Sequence, residues 1–247
     1  MKFALVALAA ATSIAGSLAV PTRGPESAHL TQLPRGNGTR AALSRRQNGD
    51  NPWGGAVQEG QGWSYVTGTA VVPDVRGQDP SAGAAVWVGI DGYSCQNAIL
   101  QTGFTLWGDG RIETWYEWYP QPSYHYTTDL GVQPGHQLRM SVYADGTTGG
   151  WSVIENLSTG QAARQRFQGM RPQICQTDAE WIVEDFLEGQ GHVPFLDFGR
   201  VQIYDAQASG PRGTVTPEGA TMVEVTVGGR PRTQCYASGG EVDCRYV

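Results

Sequence analysis

The sequence is nearly without lysine and has few charged residues of any kind. Lys2 is its only lysine, every other basic residue is arginine, and charged side chains make up 16 % of the 247 residues. With 34 Gly, eight Trp and ten Tyr, the composition is typical of an exported all-β protein rather than a collagen, a coiled coil or a disordered chain. The isoelectric point near 5.2 leaves no basic footprint for nucleic acid, so we expect no such partner.

The motifs that mark most secreted hydrolases are also absent. The sequence has no Gly-x-Ser-x-Gly nucleophile elbow, no His-Glu-x-x-His zinc motif and no Asp-Thr/Ser-Gly loop of an aspartic protease. The four cysteines lack the Cys-x-x-Cys spacing of a metal site. We therefore expect no metal and no cofactor. Carboxylates, amides and aromatic residues remain as the candidate functional groups.

A long apolar run is missing everywhere except at the amino terminus, and that run is short. Lys2 opens a positive region, residues 4–15 are apolar, and the small residues Ser17 and Ala19 suit cleavage after Ala19. Residues 1–19 are therefore predicted to be a signal peptide, and its apolar run of residues 4–15 is too short to span a bilayer. We expect a soluble, secreted, extracellular protein without a membrane partner, and a monomer.

Residues 20–46 differ from the rest of the chain in charge and composition. They are basic, contain no aromatic residue and end in the dibasic pair Arg45 and Arg46, which predicts a propeptide and a single mature domain over residues 47–247. Residues 1–46 hold six of the 17 basic but one of the 23 acidic residues, which leaves residues 47–247 with a net charge of −11. The negative net charge of residues 47–247 either serves solubility or indicates that the protein works at low pH, where protonation of carboxylates removes their mutual repulsion. The basic segment of residues 20–46 would bind to the acidic domain as an inhibitor.

The mature part contains about a dozen short runs of β-branched and aromatic residues, separated by Gly, Pro, Asp and Ser. Turn signals such as Asp109-Gly110 and Asp145-Gly146 lie between them, and no amphipathic helix of three turns is evident. Short strands at this spacing predict an all-β fold of two packed antiparallel sheets, a β-sandwich.

An even number of cysteines in an exported chain indicates disulfides. Cys235 and Cys244 flank the turn signal ASGG at residues 237–240, so a hairpin would pair them and leave Cys95 with Cys175. Asn156 opens the sequon Asn-Leu-Ser and is a candidate glycosylation site.

Carboxylates stand out in two strand-like runs. Glu113 and Glu117 share one strand face, and residues 179–186 (AEWIVEDF) place Glu184 in an otherwise apolar strand. Burial against an apolar wall would raise the pKa of Glu184 and make it a usable acid or base, whereas on an exposed edge it would be an ordinary solvated residue. Gln101 is a polar amide in another apolar run. The pattern alone predicts that its side chain is buried and makes hydrogen bonds within the protein. A glycan-active β-sandwich is an alternative from a different class of function. A glycosidase of this kind would use Glu113 and Glu117 as its catalytic carboxylates, and a lectin would bind sugars on the faces of its Trp rings.

Five segments of the chain resemble, in order, the fungal glutamic peptidases, also called eqolisins. These segments are residues 51–56 (NPWGGA), 87–92 (WVGIDG), 95–103 (CQNAILQTG), 115–120 (WYEWYP) and 179–186 (AEWIVEDF). The resemblance extends from Asn51 to Val247 and implies a secreted acid endopeptidase that is insensitive to pepstatin. It also implies a concanavalin-like β-sandwich of two antiparallel sheets of about seven strands each.

The resemblance further implies the roles of particular residues. The catalytic dyad of the family, a Gln and a Glu, falls on Gln101 and Glu184, and a Trp near the family's cleft falls on Trp53, where this sequence departs by carrying Pro52. The candidate substrate-binding residues are Trp53, Trp87, Asp91, Trp115 and Glu117. Proteins and peptides are the expected substrates, and no cofactor takes part.

Overall fold

The computed structural model describes residues 50–188 and 191–247. The predicted signal peptide (1–19) and propeptide (20–46) lie outside the described residues, as do residues 47–49 at the start of the predicted domain. In the described part, no helix is long and apolar enough to cross a membrane.

The described residues form nineteen strands, of which twelve contain six or more residues, as the sequence pattern predicts. The strands are β1 (Trp53–Glu59), β2 (Tyr65–Val71), β3 (Gly83–Ile90), β4 (Ile99–Trp107), β5 (Ile112–Tyr119), β6 (Tyr124–His125), β7 (Gln137–Ala144), β8 (Gly150–Asn156), β9 (Gln161–Phe167), β10 (Asp178–Glu184), β11 (Leu187–Glu188), β12 (Gly191–His192), β13 (Arg200–Gly210), β14 (Gly213–Val215), β15 (Thr221–Val223), β16 (Thr226–Val227), β17 (Arg230–Pro231), β18 (Thr233–Ser238) and β19 (Glu241–Tyr246).

Two large antiparallel sheets account for most of these strands. The first has seven strands in the order β15-β1-β10-β3-β4-β5-β6, and the second has eight, in the order β18-β19-β13-β2-β7-β8-β9 with β14 beside β13. The hairpins β11–β12 and β16–β17 are separate. The predicted all-β class and two-sheet sandwich are confirmed, with a second sheet one strand larger than expected.

The main core lies between the two sheets. Trp181 of β10 points into it and donates its indole N–H to the carbonyl oxygen of Thr67 in β2, 2.7 Å away, which links the sheets directly. Other large side chains of this core include Phe104, Leu106, Leu138, Met140, Ile154 and Ile203. Sheet-on-sheet burial of this kind explains why alternate residues of the long strands are apolar.

A second apolar cluster covers the opposite face of the seven-stranded sheet. It contains Trp53, Val57, Ala85, Trp87, Ile99, Trp107, Trp115, Ile182, Phe186 and Val193. Because β3, β4 and β10 are covered on both faces, every residue in these three strands is buried. Such strands read in the sequence as nearly continuous apolar runs, and a polar side chain inside one of them is therefore conspicuous.

Both predicted disulfides are present. Cys235 and Cys244 are directly opposite each other on the hairpin β18–β19. Cys95 and Cys175 join the segment that follows β3 to the segment that precedes β10.

The environment of Asn156 contradicts the expectation that it carries a glycan. Its side chain is fully buried, and its Nδ2 lies 2.9 Å from the carbonyl oxygen of Leu130 and 3.0 Å from Nδ1 of His136. A glycan on Nδ2 would remove the side chain from the interior and break its contacts. The sequon could not reveal this, because it reports three residues and not their burial.

Candidate active site

The predicted catalytic residues lie on one face of the seven-stranded sheet, the face turned away from the second sheet and here called the outer face. Alternate residues of a strand share a face, so strand register defines rows across the sheet. One row on the outer face consists of Glu184, Ala85, Thr105 and Glu113. A second row on the same face, four residues along, consists of Glu180, Gly89, Gln101 and Glu117.

Trp87 stands on β3 between these two rows and contacts both. Its indole N–H donates to Oε2 of Glu184 at 2.9 Å. A side chain at Gly89 would lie 2.9 Å from Cζ3 of Trp87 and 3.3 Å from Cβ of Gln101, so the edge of the indole fills the space that glycine leaves open. The Trp87 ring therefore extends from Glu184 to Gly89, the neighbour of Gln101 in the second row, and the absence of a side chain at Gly89 permits this approach.

Glu184 is held at the end of β10 with 8 % of its surface exposed. Trp53 is directly opposite it on β1, and the Trp53 and Trp87 rings meet edge to face with centroids 4.9 Å apart. Pro52, the departure from the family pattern, accepts a hydrogen bond from the backbone N–H of Asp185 through its carbonyl oxygen, 2.9 Å away. Trp53 thus keeps its place beside Glu184 despite the extra proline.

Gln101 lies in the middle of β4 with 5 % of its surface exposed. Its Nε2 donates to Oε2 of Glu117 at 2.8 Å, and its Oε1 has no hydrogen-bond partner among the described residues. An amide has two N–H donors and one carbonyl acceptor. The bond to Glu117 therefore fixes the orientation of the amide and leaves one donor and the acceptor for another molecule.

Trp115 belongs to the same apolar cluster but is almost completely buried. It donates its indole N–H to Oγ1 of Thr105 at 3.1 Å. Trp107, which the sequence analysis did not single out, lies in this cluster and meets Phe186 edge to face at 5.6 Å. Its even spacing from Gln101 and Thr105 on β4 was a signal that it shares their face.

The structure contradicts the expectation that Asp91 binds substrate. Its side chain is fully buried, at a backbone φ of 67°, and its carboxylate accepts the backbone N–H groups of residues 175–178 at 2.6–3.2 Å. Burial raises the pKa of Asp91, and these four donors oppose that shift. Asp91 is an anchor for the segment before β10 and has no surface to offer a ligand.

Asp91 also approaches Cys95 and Cys175 closely enough to resemble a metal-binding group. Both sulfur atoms are used by the disulfide between these cysteines, so they offer no thiolate ligands. The cluster is therefore structural.

The pair of carboxylates proposed for a glycosidase does not fit that role. Glu113 and Glu117 lie in different rows of the outer face, four residues apart on β5. Glu113 accepts the indole N–H of Trp107 at 2.8 Å, and Glu117 accepts the amide of Gln101. The two carboxylates serve different neighbours and do not converge on one point.

Comparison with known proteins shows which family has this arrangement. Residues 51–246 match the Peptidase A4 family. The chain belongs to this family. It is 37 % identical to scytalidopepsin B of Scytalidium lignicola over 226 residues, 86 % of either chain, and 38 % identical to aspergillopepsin-2 of Aspergillus niger over 218 residues, 79 % of this chain and 77 % of that one.

A solved structure of a family member has the same fold. The crystal structure of scytalido-glutamic peptidase with a transition state analog inhibitor aligns with a TM-score of 0.76 at 38 % identity, covering 79 % of this chain and 98 % of that one. The resemblance to the glutamic peptidases is confirmed, and the chain is a peptide hydrolase of the peptidase A4 family. All five motif segments lie within the matched residues.

Proposed function

We propose that this member of the peptidase A4 family is a secreted, acid-acting endopeptidase whose catalytic dyad is Glu184 and Gln101. One observation carries the proposal: the two side chains share the outer face, each is nearly buried, and each is oriented by its own hydrogen-bond partner. Trp87 holds Glu184, and Glu117 holds Gln101. A carboxylate and an amide fixed in this way provide a proton acceptor and a neutral donor for hydrolysis of an amide bond.

Glu184 acts first as a general base and then as a general acid. Its ionised carboxylate takes a proton from water, and the water oxygen attacks the carbonyl carbon of the scissile peptide bond. The protonated carboxyl group then gives that proton to the leaving nitrogen as the C–N bond breaks.

Gln101 stabilises the tetrahedral intermediate that this attack produces. One N–H of its amide is used by Glu117, so the second is available to the developing oxyanion, while Oε1 helps to hold the attacking water. A donor of this kind contributes about 3 kcal/mol to stabilisation of the transition state. An amide does not titrate, and so Gln101 keeps this role at acid pH.

The substrates in this proposal are proteins and peptides, and the basic propeptide of residues 20–46 is the inhibitor of the precursor. Residues 47–247 carry a net charge of −11, which complements the propeptide near neutral pH. At acid pH the carboxylates become protonated and this attraction weakens. Acidification would therefore release the propeptide and activate the enzyme together.

The class of mechanism predicts an inhibition profile. Digestion of casein or haemoglobin at acid pH should be unaffected by pepstatin, chelators and serine-hydrolase reagents, because the sequence lacks the motifs on which these inhibitors act. Release of soluble peptides is the measurement, and pepsin with pepstatin is the positive control. Strong inhibition by a chelator would require a metal and would refute the proposed mechanism.

Processing of the precursor predicts the form of the mature enzyme. Arg45 and Arg46 are adjacent, and residues 47–247 contain no other pair of adjacent basic residues, so the mature protein should be a single chain that starts near Gln47. Intact-mass measurement should show one species that gains four hydrogens on reduction of its two disulfides. Two separate polypeptides before reduction would show that processing occurs at a second place.

A further inference from the structure

Three buried carboxyl groups lie together at the end of the outer face opposite to Glu184, and the proposed reaction uses none of them. Asp178 and Glu180 are alternate residues of β10, and Asp91 follows β3, where its backbone N–H donates to the carbonyl oxygen of Asp178. All three side chains are fully buried. Within residues 50–188 and 191–247, none of the three makes an ion pair with a basic residue.

Two of these carboxyl groups are surrounded by hydrogen-bond donors. Asp91 accepts the four backbone N–H groups of residues 175–178, and Asp178 accepts the backbone N–H groups of Ser94 and Cys95 and the hydroxyl of Ser94. A backbone N–H can only donate, so these bonds satisfy the carboxylate oxygens of both residues. Together they clamp residues 91–95 against residues 175–178.

Glu180 has no such set of donors. The backbone N–H of Tyr93 lies beside it, but neither carboxyl oxygen makes a hydrogen bond of normal geometry with the described residues, although a carboxylate in a dry interior without a partner is very costly. Burial first, and then the neighbouring carboxyl groups of Asp178, Asp91 and Glu184, raise the pKa of Glu180 well above its ordinary value, while the backbone N–H of Tyr93 opposes the shift. Burial and the neighbouring carboxyl groups thus favour the protonated form of Glu180 in the folded protein.

The segment beside this cluster also touches Trp53, at the Glu184 end of the face. The backbone of Tyr93 lies beside Glu180. The adjacent Gly92 fits so closely that an added Cβ would lie 2.7 Å from the Trp53 ring and 2.7 Å from Ile99. Trp53 is the residue directly opposite Glu184. Tyr93 lies beside Glu180 and Gly92 lies against Trp53, so a movement of residues 91–95 away from Glu180 would also remove contacts of Trp53.

We propose that Glu180 sets the upper pH limit of the folded enzyme: loss of its proton separates residues 91–95 from β10 and disorganises the outer face. The groups that face it are Asp178 and Glu184 on its own strand, Asp91 after β3 and the backbone of Tyr93, while Glu59 on β1 lies beyond Asp178 at the edge and is exposed. None of these groups offers a positive charge to an ionised Glu180. The proposal does not depend on which residues form the dyad.

The direction of the effect follows from proton linkage. In the unfolded chain Glu180 loses its proton near its ordinary pKa of 4.5, and in the folded protein it does so at higher pH. Below about pH 4.5 both states are protonated, and this residue does not make stability depend on pH. Above that value the unfolded state alone releases the proton, so the folding equilibrium constant falls about tenfold per pH unit until the folded-state pKa is reached.

Urea unfolding of the mature enzyme, followed by tryptophan fluorescence from about pH 3.5 to pH 7, tests this. The variant Glu180→Gln keeps the size of the side chain and has no proton to lose. Its folding constant relative to wild type should rise about tenfold per pH unit above pH 4.5, until the folded-state pKa of Glu180 is reached. The matched control is Glu59→Gln, which removes an exposed carboxyl group from the same face and should leave the wild-type pH dependence unchanged. Parallel stability curves for Glu180→Gln and wild type would overturn the proposal.

A second measurement covers the case in which the buried glutamine prevents folding. In infrared spectra recorded above pH 4.5, the carbonyl stretching band of protonated carboxylic acids should be weaker in Glu180→Leu than in wild type by the contribution of one carboxyl group; leucine introduces no unsatisfied polar atom. Bands of equal intensity in the two proteins across this pH range would show that Glu180 is not a buried acid. Neither measurement depends on activity, so failure of the dyad and failure of this proposal are distinguishable.

Discussion

Replacement of Glu184 by Gln is expected to abolish proteolysis while the protein remains folded. Glutamine has nearly the same shape and can still accept the indole N–H of Trp87 through its amide oxygen, but it cannot take a proton from water. General acid–base catalysis contributes roughly 10²–10⁴-fold to a rate, so kcat should fall by at least that range. KM and the unfolding midpoint should change little, because contacts with the ground state are kept. Steady-state kinetics on a fluorogenic peptide at acid pH measure these quantities.

A matched control separates the loss of a base from the loss of a charge. Glu155→Gln removes a carboxylate from the second sheet, where Glu155 pairs with Arg139 at the surface. A surface ion pair of this kind contributes at most about 1 kcal/mol, so this variant should keep wild-type kcat and KM. If Glu184→Gln retains near-normal turnover with intact tryptophan fluorescence, another group is the base and the dyad assignment is wrong.

The alternation of residues predicted the strands and faces well, because in a β-sandwich burial itself has a period of two. Glu113, Trp115 and Glu117 do share one face of β5, as their spacing indicates. Their partners could not be predicted in the same way. The bond between Gln101 and Glu117 depends on the register of β4 against β5, which is set by the turn at residues 108–111 and by packing of both strands.

Local sequence was misleading where tertiary burial decides the outcome. Asn156 lies in a valid sequon, and Asp91 lies in a segment that resembles a family motif, yet both side chains are fully buried and bonded to distant backbone groups. The donors to Asp91 come from residues more than 80 positions away. The sequence also could not predict that Gly89 leaves space for the Trp87 ring, because this depends on the side chain of Trp87 and on a neighbouring strand.

Replacement of Gln101 by Ala is expected to lower kcat by about 10²–10³-fold, which is the loss observed when one oxyanion donor is removed and corresponds to about 3–4 kcal/mol. Glu117→Ala should lower kcat less, because it leaves the Gln101 amide in place but free to turn its carbonyl oxygen toward the oxyanion. A hydrogen bond to a charged group contributes about 1.5–3 kcal/mol, so a loss of roughly 10–100-fold is expected. The variants should be compared by kcat and KM on one peptide substrate at one acid pH.

The double variant decides between the two roles considered for Glu117. If Glu117 acts only by orienting Gln101, then Glu117→Ala should have almost no effect once Gln101 is alanine, and the two single effects should be strongly non-additive. If Glu117 instead contacts substrate, as the sequence first suggested, its replacement should raise KM and do so equally in both backgrounds. The 2.8 Å contact between Gln101 and Glu117, both nearly buried, favours the first result. Additive effects with an increased KM would show that Glu117 binds substrate and that another group orients Gln101.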